Sequence, residues 1–135
     1  MQSYVISIPK GTLFCNATGS SQDTRKSNWI KYWKDYSGHR GSYDIKCCSA
    51  GCGNQAKYGG HVYFRSNEIN LSRYLCIIPI CKTCNDDKDC NYNKAGNNLW
   101  FVLRRNINAL QLPYLGKRPT SADEWKELYG NLPHT

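Results

Sequence analysis

The chain has 135 residues, a length that fits one domain with a modest core. Its formal net charge is +8, and 40% of its residues are hydrophobic, so it is built to fold and leans toward a polyanionic partner. No apolar run is long enough to span a bilayer, and MQSYVISIPKG lacks the basic start and apolar stretch of a signal peptide; the expected compartment is the cytoplasm, with no membrane association. There, eight cysteines point to metal or free thiols rather than disulfides.

Taken in chain order, Tyr4 to Ile8 alternates and is β-branched, which predicts a short strand. Residues 15–27, CNATGSSQDTRKS, are small and polar and read as a loop. Ser27 is the expected N-cap of a helix over NWIKYWKDYSG, with Trp29, Trp33 and Tyr36 on one face against the core and Gly38 as its stop. Residues 55–64 and 73–80 read as two strands joined by the polar loop RSNEINLS. LWFVLRR reads as a further strand, and INALQL extends the sheet. Near the end, Ser121 caps a short helix with Glu124 at capping-box spacing.

The chemistry concentrates in the cysteines. Cys48 and Cys52 flank a turn in CCSAGCG, and Cys81 and Cys84 follow a hairpin-length segment. Two close pairs so separated suit one tetrahedral Zn2+ held by four thiolates, since soft sulfur ligands fit that ion and that geometry. Cys47 is the alternative to Cys48; the latter is preferred because neighbours in an extended segment point in opposite directions. Cys76 is expected inside a strand, and Cys15 and Cys90 as free thiols or a surface pair. Turn, hairpin and cysteine-bearing helix, in that order, make a treble-clef zinc finger. Its helix should start near Cys84, with Asp86 and Asp87 in the first turn. The expected architecture is α+β: one zinc-braced domain over 1–135, with an N-terminal strand and Trp helix (1–46), a treble-clef core (47–95) and a C-terminal strand and helix (96–135).

GGHV (59–62) followed by PICKTCN (79–85) resembles the HNH, or ββα-metal, nucleases whose fold is braced by two cysteine pairs. The wider pattern is similar to small proteins of Bacteroides-type bacteria and their mobile elements, with a Trp helix ending in Ser37-Gly38, then C-x3-C, G-G-H-V and P-I-C-x2-C-N. The likeness covers roughly residues 27–90. It implies His61 as general base and Asn85 as a ligand of a separate catalytic Mg2+ or Mn2+. The chain departs from the nuclease pattern at Gly60, where an acidic or His ligand usually precedes the base, and in LCIIP, which lacks the middle Asn. Asp86, Asp87 and Asp89 are the substitutes in reach along the chain. His61 also has plainer readings, as a hydrogen-bonded strand histidine or a zinc ligand in place of one Cys.

Cations interleaved with aromatics fit phosphate contacts and base stacking. Arg65, Arg73, Lys82, Arg104, Arg105, Lys117 and Arg118 are the expected contacts. The leading expectation is a degenerate HNH-like module that binds DNA, RNA or a nucleoprotein complex in a bacterial or phage-infected cell. Its rivals are an active nuclease and an inhibitor of a host nucleic-acid-handling enzyme.

Overall fold

A computed structural model describes residues 3–17, 19–39, 45–65, 74–86, 100–119 and 121–132. Among them six strands, β1 (Tyr4–Ile8), β2 (Leu13–Asn16), β3 (Tyr58–Arg65), β4 (Leu75–Ile80), β5 (Phe101–Val102) and β6 (Ile107–Leu112), form one antiparallel sheet. The order is β1-β6-β4-β3-β2-β5. Three α-helices accompany it: α1 (Trp29–Tyr36), α2 (Lys82–Asp86) and α3 (Ala122–Tyr129). The mixed helix-and-sheet expectation therefore holds. No described helix is long and apolar enough to cross a membrane.

The central hairpin carries the core. Every residue of β4 is buried, because this strand has neighbours on both edges and cover on both faces. β3 pairs with it in unbroken register, from Tyr58↔Ile80 to Val62↔Cys76. Alternation then sends Gly59, His61 and Tyr63 to one face and Tyr58, Gly60, Val62 and Phe64 to the other. The first face receives α1. A Cβ at Gly59 would sit 2.5 Å from the Trp29 carbonyl carbon and 2.7 Å from the Ile30 nitrogen, so only glycine admits the helix this closely. On the second face Phe14 stacks on Phe101 and meets Phe64 edge-on.

Several expectations shift in detail. α1 is capped by Asn28, whose side chain accepts from the Lys31 amide; Ser27 lies one residue too early to reach it. Trp33 is buried with Tyr32, while Tyr36 is 61% exposed, so the inward face is 29/32/33 rather than 29/33/36. Trp33 Nε1 donates to the Asn108 carbonyl, which ties α1 to β6. Gly38, at φ 78°, follows the helix end as expected. The polar stretch 15–27 is not all loop, since β2 runs to Asn16 and a single 3-10 turn covers Ser20–Gln22. LWFVLRR yields only the two-residue β5, because Leu103 turns to bridge Ser49. α2 begins at Lys82, which puts Asp86 at its end rather than in its first turn. Ser121 caps α3 by accepting from the Glu124 amide. Asp87, Asp89, Cys90, Arg73 and the loop 66–72 lie outside the described residues.

Candidate metal centre and the buried charge cluster

Residues 46–55 close into a turn. Lys46 bridges Gln55, and the Cys47 amide donates to the Asn54 carbonyl at 3.0 Å. This folds Cys47 back toward Cys52. β4 delivers Cys81 at its end, and the first turn of α2 delivers Cys84. The sulfurs of Cys47, Cys52, Cys81 and Cys84 all lie within 4.8 Å of one another. Cys52 Sγ and Cys81 Sγ are 3.7 Å apart, far beyond a disulfide and close to the ~3.8 Å edge of a tetrahedron with Zn–S of about 2.3 Å. The donor set therefore fits a thiophilic ion.

One ligand differs from the sequence expectation. Cys48 is outside the cluster, and Cys47 takes its place. The segment is pinned through Cys48, whose amide donates to the Pro79 carbonyl and whose carbonyl accepts from the Arg104 amide. That leaves Cys47, its neighbour, to face the other thiols. Cys48 sits fully buried, and burial pushes its thiol up to about 12.

Electrostatics inside the cluster are uneven. Burial opposes charge at Cys81, yet the Cys84 amide, the Cys84 thiol, the Asn54 amide and the Cys52 thiol outweigh it and bring Cys81 down to about 7. Burial and the neighbouring sulfurs push Cys84 upward, and burial pushes Cys47 upward against the hydrogen bonds it receives from the Ser49 and Cys81 backbone and the Cys84 thiol. The Cys81 thiolate forms readily, and Cys47 and Cys84 need a cation to share their charge. Arg104 closes the turn from outside, its guanidinium donating to the carbonyls of Cys52 and Ser49. Arg105 donates to the Lys46 carbonyl at 3.1 Å. Both arginines were expected on phosphate; Arg104 in particular is engaged in bracing the thiol turn.

His61 occupies a different place. Its Nε2 is 3.0 Å from Asp23 Oδ2, with the histidine 5% exposed and the Asp23 side chain fully buried. Arg25 grips the same carboxylate through Nε and Nη2 and donates from Nη1 to the Pro113 carbonyl. Trp29 and Trp125 close on the imidazole at 4.7 and 6.0 Å between ring centres, and the Arg25 guanidinium lies over Tyr129. Burial alone would raise the Asp23 pKa; the hydrogen bonds from His61 and Arg25, with their charges, win and bring it to about 2. Of the plainer readings, His61 as a hydrogen-bonded strand histidine matches this geometry.

Asn85 does not join His61. The Asn85 Oδ1 lies 3.1 Å from where a Gly60 Cβ would be, which places it on the Gly60 face of β3. His61 projects to the opposite face. The same site explains Gly60: a Cβ there would lie 2.1 Å from Cδ1 of the buried Ile80, so residue 60 has no room for a metal-ligating side chain. The resemblance implied one site shared by His61 and Asn85, and the sheet separates them.

The remaining expected cations are dispersed. Lys82 pairs with Asp86 on the surface of α2. Arg65 lies 5.8 Å from the Trp100 ring centre, seven residues along β3 from the cysteine end. Lys117 is exposed, and Arg118 stacks on Tyr63 at 4.0 Å, on the His61 face. The Asp23–Arg25–His61 cluster escaped the sequence reading because its partners lie 38 residues apart. The one local signal was a histidine inside the otherwise apolar run HVYF, which needs a buried partner. No protein-family model, no curated protein and no solved structure matches this chain.

Proposed function

We propose that Cys47, Cys52, Cys81 and Cys84 hold one structural Zn2+, and that the basic end of the molecule braced by it binds nucleic acid. The ion would supply folding energy to a turn and a five-residue helix that have little core of their own. One observation supports the binding reading above others. Segments 45–65 and 100–119 contain no Asp or Glu, and around the thiol turn they carry Lys46, Lys57, Arg104 and Arg105. The two segments meet at the thiol turn through the Ser49↔Leu103 bridge and the Arg104 and Arg105 contacts. Among the described residues the acids lie elsewhere: Asp23 inside, Asp35 on α1, Asp86 against Lys82, and Asp123, Glu124 and Glu127 on α3. Among the described residues, a phosphate backbone approaching the cysteine end meets cations with one paired acid, Asp86, beside them.

Binding is preferred to hydrolysis because His61 is enclosed and Asn85 is on the other face of its strand. The test is anisotropy of labelled DNA and RNA oligonucleotides across a salt series, with metal content measured on the same protein. The expected result is about one equivalent of zinc and affinity that falls steeply between roughly 50 and 200 mM salt. Lys46→Glu with Lys57→Glu should weaken binding at least about tenfold. Absence of binding at low salt, or indifference to the double charge reversal, overturns the interface. Zinc well below one equivalent in protein that keeps its fold under chelator overturns the metal assignment. Tight capture of one protein by a chain that ignores free nucleic acid would instead support the inhibitor reading.

A further inference from the structure

We infer that the nucleic acid recognised at the cysteine end is single-stranded, with an unpaired base stacked on Tyr58. The inference rests on the reading of that end as a nucleic-acid interface. Tyr58 is 43% exposed, directly follows Lys57, and sits at the end of β3 opposite Ile80, two residues before Lys82. It lies on the same face of the sheet as Gly60, the face from which Asn85 and the α2 turn approach. An aromatic ring open to solvent among cations is the arrangement that holds a base by its π-face while lysines meet the flanking phosphates. The other exposed tyrosines among the described residues fit less well. Tyr36 already packs on Tyr32 at 4.8 Å and follows Asp35, and Tyr4 stands opposite Gln111 on β1, at the other edge of the described sheet from β5.

Duplex readout wants a different shape. The major groove admits a helix or a two-stranded ribbon. Here the basic groups sit at strand ends and turns, and no described helix offers a cationic reading face. α2 has five residues, about 7.5 Å of helix. α1 turns Tyr32 and Trp33 inward and pairs Lys31 with Asp35 on its outer side. α3 opens with Asp123 and Glu124. The β3–β4 hairpin is flanked by other strands on both edges and cannot enter a groove.

The experiment compares a labelled 20-mer single strand with the 20-bp duplex of the same sequence, at one salt concentration and then across a salt series. It uses the zinc-loaded wild type, Tyr58→Leu, Tyr58→Phe and the Lys46→Glu/Lys57→Glu variant, each checked by thermal melting. The expected result is tighter binding of the single strand, by about tenfold or more. Tyr58→Leu should lose roughly 5- to 100-fold for the single strand with an unchanged salt slope, and Tyr58→Phe should keep wild-type affinity. If Tyr58→Leu binds the single strand like wild type while the charge-reversed variant is weakened, the interface stands and the stacking inference is overturned. Duplex bound as tightly as the single strand overturns it too. Binding of neither probe by the wild type removes the interface itself, and the inference with it.

Discussion

The two polar clusters on either side of the central hairpin solve the same problem in opposite ways. Both bury groups that dislike an apolar interior. The Asp23–His61–Arg25 cluster is complete in itself, with a carboxylate held by a guanidinium and an imidazole under a roof of Trp29 and Trp125. The four-thiol cluster gathers sulfurs within 4.8 Å and contains no cation of its own among them. Only an ion from outside lets all four ionise together. The first cluster is therefore a fixed part of the fold, and under the proposed metal assignment the second makes the fold conditional on a ligand. The contrast also explains why a histidine placed like a catalytic base behaves as a core residue. Its partners are already supplied by the chain.

Breaking the conditional cluster should have the largest effect. Cys81→Ser, or removal of metal by a strong chelator, should lower Tm by more than about 10 °C, because structural zinc contributes a large part of the folding energy of such small units. Paired melting curves with and without chelator check this, and an unchanged curve would equate the two clusters. Asp23→Asn comes next. It leaves Arg25 buried without its counter-ion, a loss of about 3–5 kcal/mol in denaturant unfolding. Acid probes the same group more gently. The Asp23 pKa lies near 2 in the folded chain against an ordinary 3.8, so its stabilisation is complete above about pH 4 and lost as pH falls through about 2. The loss attributable to Asp23 is about 2 kcal/mol, and it should be absent from the Asp23→Asn protein when the two are titrated side by side. The smallest effect belongs to the brace on the thiol turn. Arg104→Ala removes donors to the Cys52 and Ser49 carbonyls and should cost about 1–2 kcal/mol, with a weaker metal affinity seen in a chelator competition.

Local pattern revealed the elements and hid the partnerships. The Trp helix, the β3–β4 hairpin, β1, β6 and the Ser121-capped helix each announce themselves through periodicity or a cap within a dozen residues. The cysteine pairs were legible because their spacing is short. The choice between Cys47 and Cys48 was not, because it depends on Cys48 being pinned by Pro79 and Arg104, which are 31 and 56 residues away in the chain. Asp23 and Arg25 looked like solvated loop charges in SQDTRKS, and nothing nearby hinted that His61 would reach them. Arg104 and Arg105 resembled phosphate contacts for the same reason. A cation's partner, when it is a backbone carbonyl half a chain away, leaves no trace in its own neighbourhood. Gly60 looked like a lost ligand and is a packing requirement set by Ile80.

Among the described strands β1 pairs with β6 alone, with Tyr4 opposite Gln111 and Ile8 opposite Ile107. On the ribosome β1 must therefore wait for about a hundred further residues. At ordinary rates of synthesis that is roughly 5–20 seconds during which the uncharged segment YVISI has no sheet to join. β1 is a late arrival in its own sheet, and the nascent chain presents a short apolar strand to any chaperone or neighbouring chain before residue 112 emerges.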